Sequence, residues 1–170
     1  MEKIKLVKVT NEKLARLVES LASSIWQEYY VPIIGRQQTE YMLDKFQSRT
    51  AVLNQIAKEG YLYYLLNDKD NNWIGYIGIV LREKELFLSK FYINTKDRGK
   101  GYGKYALTCI ERIAKDKKLT KISLTVNKNN TPSIKIYEKL GFIISGWLVT
   151  DIGNGFVMDD YRMEKAVASP

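Results

Sequence analysis

Residues 85 to 126 leave a chain of this kind little freedom in how it folds. Glu85 to Asn94 is rich in aromatic and apolar residues and suits a strand. Directly after it comes Arg98-Gly99-Lys100-Gly101-Tyr102-Gly103-Lys104, with three glycines in five residues. From Gly103 to about Asp116, Ala106, Leu107, Ile110, Ile113 and Ala114 fall on one helical face, and Lys121 to Val126 is again a strand. Strand, helix and strand in this order form a right-handed crossover within one sheet. The chain is thereby committed to an α/β domain with a mixed sheet.

The flanking segments fill that architecture. Ile4 to Val9 alternates apolar and basic residues as a half-buried strand does. Thr10 or Asn11 can cap the next helix, whose apolar residues Leu14, Leu17, Val18, Leu21 and Ile25 recur at helical steps. Val31 to Gly35 reads as a loop, followed by helices from about Thr39 to Phe46 and Ser48 to Lys58. Tyr61 to Leu66 and Trp73 to Val80 are strands joined by a polar turn. Thr131-Pro132 starts a short helix with a hydroxyl cap and a first-turn proline. Phe142 to Thr150 and Phe156 to Met163 form a last pair of strands around Gly153-Asn154-Gly155. With no linker, repeat or low-complexity stretch, residues 1–170 are expected to form a single domain.

Composition removes several kinds of chemistry. The chain has no histidine, which takes away the commonest general base and metal ligand, so no metal centre is expected. Proton transfer falls to Asp, Glu, Tyr, Lys or water. One cysteine, Cys109, permits no internal disulfide; with no signal-like amino terminus, the expected compartment is the cytoplasm. No run approaches the ~18 apolar residues that span a bilayer. The net charge of +8 is spread along the chain, which disfavours a nucleic-acid partner and suits a phosphate-bearing small ligand.

The glycine segment has the makings of such a site. A helix start presents unpaired N–H groups and the positive end of its dipole, and glycines let a phosphate approach without meeting a Cβ. Arg98, Lys100 and Lys104 add charge. The Walker pattern fails, because Arg98 stands where its first glycine belongs and Tyr105 follows Lys104. The dinucleotide fingerprint fails on spacing, with glycines at 99, 101 and 103.

Arg98, Gly101 and Gly103 do satisfy the pattern Arg/Gln-x-x-Gly-x-Gly/Ala, and in this the chain resembles the GNAT superfamily of N-acetyltransferases. Upstream, Leu88 to Ile93 looks like that family's central strand. Downstream, Asn130 to Phe142 resembles its second motif, with Ser133 in place of the common alanine and with Tyr137 and Gly141-Phe142 in register. The resemblance implies a mixed, largely antiparallel sheet of about six or seven strands flanked by helices, and acetyl-CoA as cofactor. Backbone groups of Phe91, Tyr92 and Ile93 would hold the pantetheine arm and acetyl carbonyl. Amides of Gly99, Lys100, Gly101, Tyr102, Gly103 and Lys104 would hold the pyrophosphate beside Arg98. Asn130 and Ser133 would border the cofactor, and Tyr137 would protonate the leaving thiolate.

A tyrosine with an ordinary pKa near ~10 keeps its proton at neutral pH and can serve as that acid. Ser89 stands where many family members carry a glutamate base. Asp159 and Asp160 are the remaining acidic candidates, and strand alternation turns only one of them inward; Asp160 is taken as the expected base, with relay through water as the alternative. Trp26, Tyr29 and Tyr30 are expected to wall the acceptor cleft, with Glu28, Ile33, Ile34, Trp147, Asp151 and Phe156 nearby. The expected acceptor is a small-molecule amine in preference to a peptide or protein. A non-catalytic acyl-CoA-binding module is the alternative, and the resemblance also allows a homodimer in which the last strands are exchanged or paired.

Overall fold

The computed structural model describes residues 4–168. Seven strands are hydrogen-bonded in the order β1-β2-β3-β4-β5-β7-β6. They are β1 (Ile4–Lys8), β2 (Tyr61–Asp68), β3 (Trp73–Leu81), β4 (Glu85–Ile93), β5 (Lys121–Asn127), β6 (Ile143–Gly153) and β7 (Phe156–Ala166). The helices are α1 (Glu12–Tyr29), α2 (Val31–Ile34), α3 (Arg36–Phe46), α4 (Arg49–Lys58), α5 (Tyr102–Asp116) and α6 (Thr131–Lys139). The expected mixed, mostly antiparallel sheet flanked by helices is therefore present, with the upper strand count. The chain divides into two compact units, one running up to Val80 and including Lys90–Cys109, the other comprising Leu81–Ser89 and the chain from Ile110 onward.

In the first unit β1, β2 and β3 pair antiparallel, with Leu6 opposite Leu66 and Tyr63 opposite Gly78. Asn11 caps α1, its side chain accepting from the Leu14 amide at 2.9 Å. The buried stripe of that helix is Ala15, Val18, Ala22, Ile25 and Trp26. It is turned from the stripe the leucines suggest toward Ala15, Ala22 and Trp26. Val31 to Ile34 is one turn of helix rather than the expected loop. Pro32 sits in its first turn, where a missing N–H is harmless. Gly35, at φ 87°, ends that turn, and its carbonyl accepts from Thr39 Oγ1 at 2.7 Å, so α3 begins at Arg36, ahead of Thr39. Ser48 caps α4 by accepting from the Ala51 amide at 3.1 Å.

Two strand glycines in this unit are spaces. A Cβ on Gly75 would lie 2.2 Å from the Tyr92 carbonyl oxygen. A Cβ on Gly78 would lie 2.9 Å from Lys90 Cγ and 3.1 Å from the Tyr63 ring.

The second unit holds the parallel pair. Glu85, Leu86 and Phe87 of β4 face Lys121, Ile122 and Ser123 of β5, as the crossover requires. Strand β7 runs antiparallel to both β5 and β6. Arg162 on β7 ties the sheet through Glu85 at 2.7 Å and Glu164 at 3.2 Å. Helix α6 departs from expectation at its start. Asn130 is the cap, accepting from the Ser133 amide at 3.4 Å, and Thr131 is already helical.

Since a backbone carbonyl cannot move aside as a flexible side chain can, Gly75→Ala should destabilise the fold by about 2–3 kcal/mol. Gly146→Ala, whose Cβ meets nothing within 4 Å, should change stability by less than about 0.5 kcal/mol. Urea unfolding of the two variants compares them, and equal midpoints would refute the close approach at Gly75.

Candidate functional site

The first unit gathers most of the residues singled out in the sequence. After Ile93 the chain makes a 3-10 turn at Thr95–Asp97 and enters the glycine loop. Gly99 and Gly101 have φ of 76° and 83°, a region costly to any residue with a Cβ. Space beside Gly99 is open, with nothing within 4 Å of the position a Cβ would take. Gly103 plays a different part. Its Cβ position lies 3.6 Å from Ile93 Cδ1 and 3.9 Å from the Phe91 ring, so it seats α5 on the strand that precedes it. The first helical hydrogen bond runs from the Tyr105 amide to the Gly101 carbonyl at 3.2 Å. The amides of Tyr102, Gly103 and Lys104 therefore head the helix with no intrahelical acceptor.

Charge is arranged around this loop. Arg98 donates through Nε to the Ile93 carbonyl at 3.1 Å, and its guanidinium lies 4.7 Å from the centre of the Tyr29 ring. Lys100 pairs with the buried Asp97 at 3.3 Å, which props the 3-10 turn. The open space at Gly99, the helix-heading amides and the cationic side chains together fit a pyrophosphate.

The aromatic residues predicted to wall the acceptor cleft are in the same unit. Trp26 lies 4.4 Å from Tyr30 and 5.5 Å from Tyr92, ring centre to ring centre. Tyr30 is 6.1 Å from Tyr92, and Tyr29 is 5.3 Å from Tyr30. One cluster thus joins α1, the middle of residues 91–93 and, through Tyr29, Arg98. Tyr76 extends it, 5.4 Å from Tyr92, and donates its hydroxyl to Gln47 Oε1 at 2.8 Å. Gln47 also lines a groove beside α1 and α3 that carries the carboxylates of Glu19, Glu40 and Asp44.

The second unit carries the other candidates. Tyr137, on α6, is half-buried with its ring edge-on to Phe142 at 5.6 Å. Asn130 is buried with its side-chain oxygen occupied by the helix cap. Of the two aspartates, Asp160 is the inward one. It is 8% exposed, whereas Asp159 pairs with Lys128 at 2.5 Å. Burial, and secondarily the charge of Asp159, pushes the Asp160 carboxyl up to about 6. Trp147 and Asp151 lie exposed on β6.

Lys90 went unnoticed in the sequence. It is a buried cation on β4, and the alternation Leu86, Leu88, Lys90 carried the signal, since the inward set of a strand ends there on a charge.

A model of the acetyltransferase (GNAT) family matches residues 18–142. Among curated Bacillus subtilis proteins, the uncharacterized N-acetyltransferase YycN is 35% identical over 81 residues, which are 45% of this chain and 51% of that protein. The spermine/spermidine N(1)-acetyltransferase is 34% identical over 64 residues, 37% of this chain and 42% of that protein. The chain spans about half the length of the curated relatives it matches. In fold it is similar to the PaiA N-acetyltransferase of Thermoplasma acidophilum crystallised with coenzyme A. The TM-score is 0.79 at 22% identity, over 97% of this chain and 99% of that one.

The environment of Asp160 has a consequence for stability. Its carboxyl holds a proton more tightly folded than unfolded, so this group favours folding below about pH 4 and loses that contribution as pH rises through about 6. Asp160→Asn should therefore raise stability at pH 7.5, by about 1–2 kcal/mol, and give no gain at pH 4. Denaturant unfolding at the two pH values measures this, and a gain independent of pH would contradict the buried carboxylate.

Proposed function

Because the chain belongs to the acetyltransferase (GNAT) family, we propose that it moves an acetyl group from acetyl-CoA to a primary amine of a small-molecule acceptor, working as a single cofactor-binding domain. The observation that carries this reading is the glycine loop at the head of α5. Gly99 is open there, Gly101 takes a φ of 83°, and Gly103 packs the helix against Phe91 and Ile93. The amides of Gly99 to Lys104, with Arg98, would hold the pyrophosphate, and backbone groups of Phe91 to Ile93 would hold the pantetheine arm. Asn130 and Ser133 would border that arm. Acetyl-CoA supplies a thioester, whose carbonyl carbon an amine can attack.

The chain's own residues then have to move two protons. The acceptor nitrogen must shed one as its bond to the acetyl carbon forms, and the sulfur must gain one as the C–S bond breaks. Tyr137 is the proposed acid for the sulfur. Asp160 is the proposed acceptor of the nitrogen's proton, directly or through water, and a carboxyl titrating near 6 is ionised for that task at neutral pH. Trp26, Tyr29 and Tyr30 would flank the acceptor. The carboxylates of Glu19, Glu40 and Asp44 support an acceptor with a second cationic centre, because they form a local negative exception on a chain of net charge +8.

The test is thiol release from acetyl-CoA over a panel of amines that includes polyamines, amino acids and aminoglycosides, with a parallel titration of acetyl-CoA binding. Amine-dependent release is expected. Tyr137→Phe should lower kcat by about 100-fold with acetyl-CoA affinity unchanged, and Gly101→Asp should abolish binding. Binding without release on any amine would favour the non-catalytic module, and absence of binding would end both readings.

The exposed edge of the second unit supports a reading of assembly. Among the described residues, strand β6 is the last in the sheet and pairs only with β7, leaving an eleven-residue edge. Ile143, Ile144, Trp147, Leu148 and Val149 on it are 39–77% exposed, and Val157 on β7 is 48% exposed. Asp151 is its only charged residue, so the lysines and prolines that usually protect an edge are missing. These side chains expose on the order of 600 Å² per copy, close to the roughly 800 Å² that each partner contributes to a stable interface. We propose that a second copy covers this strand, since two edges with one charged residue each can meet where strongly basic surfaces would repel. Light scattering should give about twice the chain mass of 19.7 kDa, and Trp147→Lys should halve it. A monomer before mutation, or an open series of larger species, would overturn the pairing.

A further inference from the structure

Lys90 is 7% exposed and poorly provided for as a cation. An ammonium has three N–H donors. The acceptor at hand is the Phe46 carbonyl oxygen at 3.5 Å, at the limit of a hydrogen bond, and Gln55 Nε2 already donates to it at 3.1 Å. The nearby amide oxygens are engaged as well, Gln55 Oε1 by the Tyr63 hydroxyl at 2.5 Å and Gln47 Oε1 by that of Tyr76 at 2.8 Å. Among the described residues no carboxylate lies within ion-pair distance of Lys90. The Phe46 ring, 5.7 Å away, is shared with Lys45 at 5.4 Å. Only the apolar stem is well packed, its Cγ filling the space that Gly78 leaves beside the Tyr63 ring.

The charged and titratable groups around it do not change this balance. Lys45, at the end of α3, opposes a second positive charge on the same ring. Glu59, the exposed residue after α4, favours the charge but is outweighed by burial, which lowers the Lys90 pKa to about 7. The phenols of Tyr63 on β2 and Tyr76 on β3 are pushed well above 10 by burial and stay neutral.

We propose that Lys90 is a positioning residue that latches the acceptor side of the site when neutral and releases it when protonated. The connection is short. Phe46 and Gln47 form the corner between α3 and α4, Gln47 holds the Tyr76 hydroxyl, and the Tyr76 ring packs on Tyr92 within residues 91–93. An ammonium at Lys90 must recruit water to this corner, which draws Phe46 and Gln47 outward and frees Tyr76. The sign follows from linkage. The unfolded chain keeps this proton up to about 10.5 and the folded chain only to about 7, so the closed corner gains as pH rises from 7 toward 10.5 and is weakest below 7.

The corner can be read without any turnover. Hydrogen exchange of residues 44–49, corrected for intrinsic rates, should show several-fold less protection at pH 6 than at pH 8.5. Lys90→Met, of similar length and without charge, should make protection equal at the two pH values. In the proposed acetyl transfer the same variant should lose an acidic limb near pH 7 in kcat/KM and keep the one that Asp160 sets near 6. Protection independent of pH in the unmodified protein, or an unchanged pH response in Lys90→Met, would overturn the latch. The activity readout rests on the transferase reading. A pH-dependent corner in a protein that transfers no acetyl group would uphold the latch and refute that reading.

Discussion

Residues 91–93 are held in place by side chains that are missing. Gly75 lets the Tyr92 carbonyl approach β3 to a distance no Cβ permits, and Gly103 lets the first turn of α5 lie on Phe91 and Ile93. Everything in the first unit that bears on function is referred to this stretch. The glycine loop leaves its end, Arg98 returns to bond its last carbonyl, and the aromatic cluster of α1 closes on Tyr92. A strand gripped through its backbone can present backbone groups to a ligand with little reorganisation, the condition under which fixed dipoles act most strongly.

Among the described residues, each unit also keeps an ionisable group in the interior with no opposite charge within ion-pair distance. Lys90 is pushed down and Asp160 is pushed up, both chiefly by burial, so each approaches neutral pH from its own side. Both burials cost stability at pH values where the group is charged. A chain with no histidine has no other ordinary side chain that titrates there, and burial supplies what composition lacks.

What was legible in the sequence was legible because it is local. The loop from Arg98 to Lys104 announces itself by glycine spacing, a requirement of the backbone at those positions, and φ values of 76° and 83° at Gly99 and Gly101 bear that out. Alternation made one of Asp159 and Asp160 buried and left the other for solvent, and the structure agrees. The misreadings are of another kind. Val31 to Ile34 passes for a loop because Pro32 usually ends structure, yet at the start of a turn it is tolerated. Asn130 takes the capping role expected of Thr131, since either residue type can cap and only the backbone path decides. Lys90 was missed because its burial depends on Gly78, Phe46 and Gln55, residues brought together only by the fold.

The same distinction separates the two halves of the proposed site. A phosphate cradle made of backbone amides depends on glycines and on a helix start, so side-chain changes elsewhere leave it intact. The aromatic cluster and the acidic groove are side chains from α1, α3 and the corner after α3, connected to Tyr92 through Gln47 and Tyr76. Substitutions there alter size and charge without touching the loop. A fold of this design keeps its hold on one ligand fixed in the main chain while the other is set by exchangeable side chains.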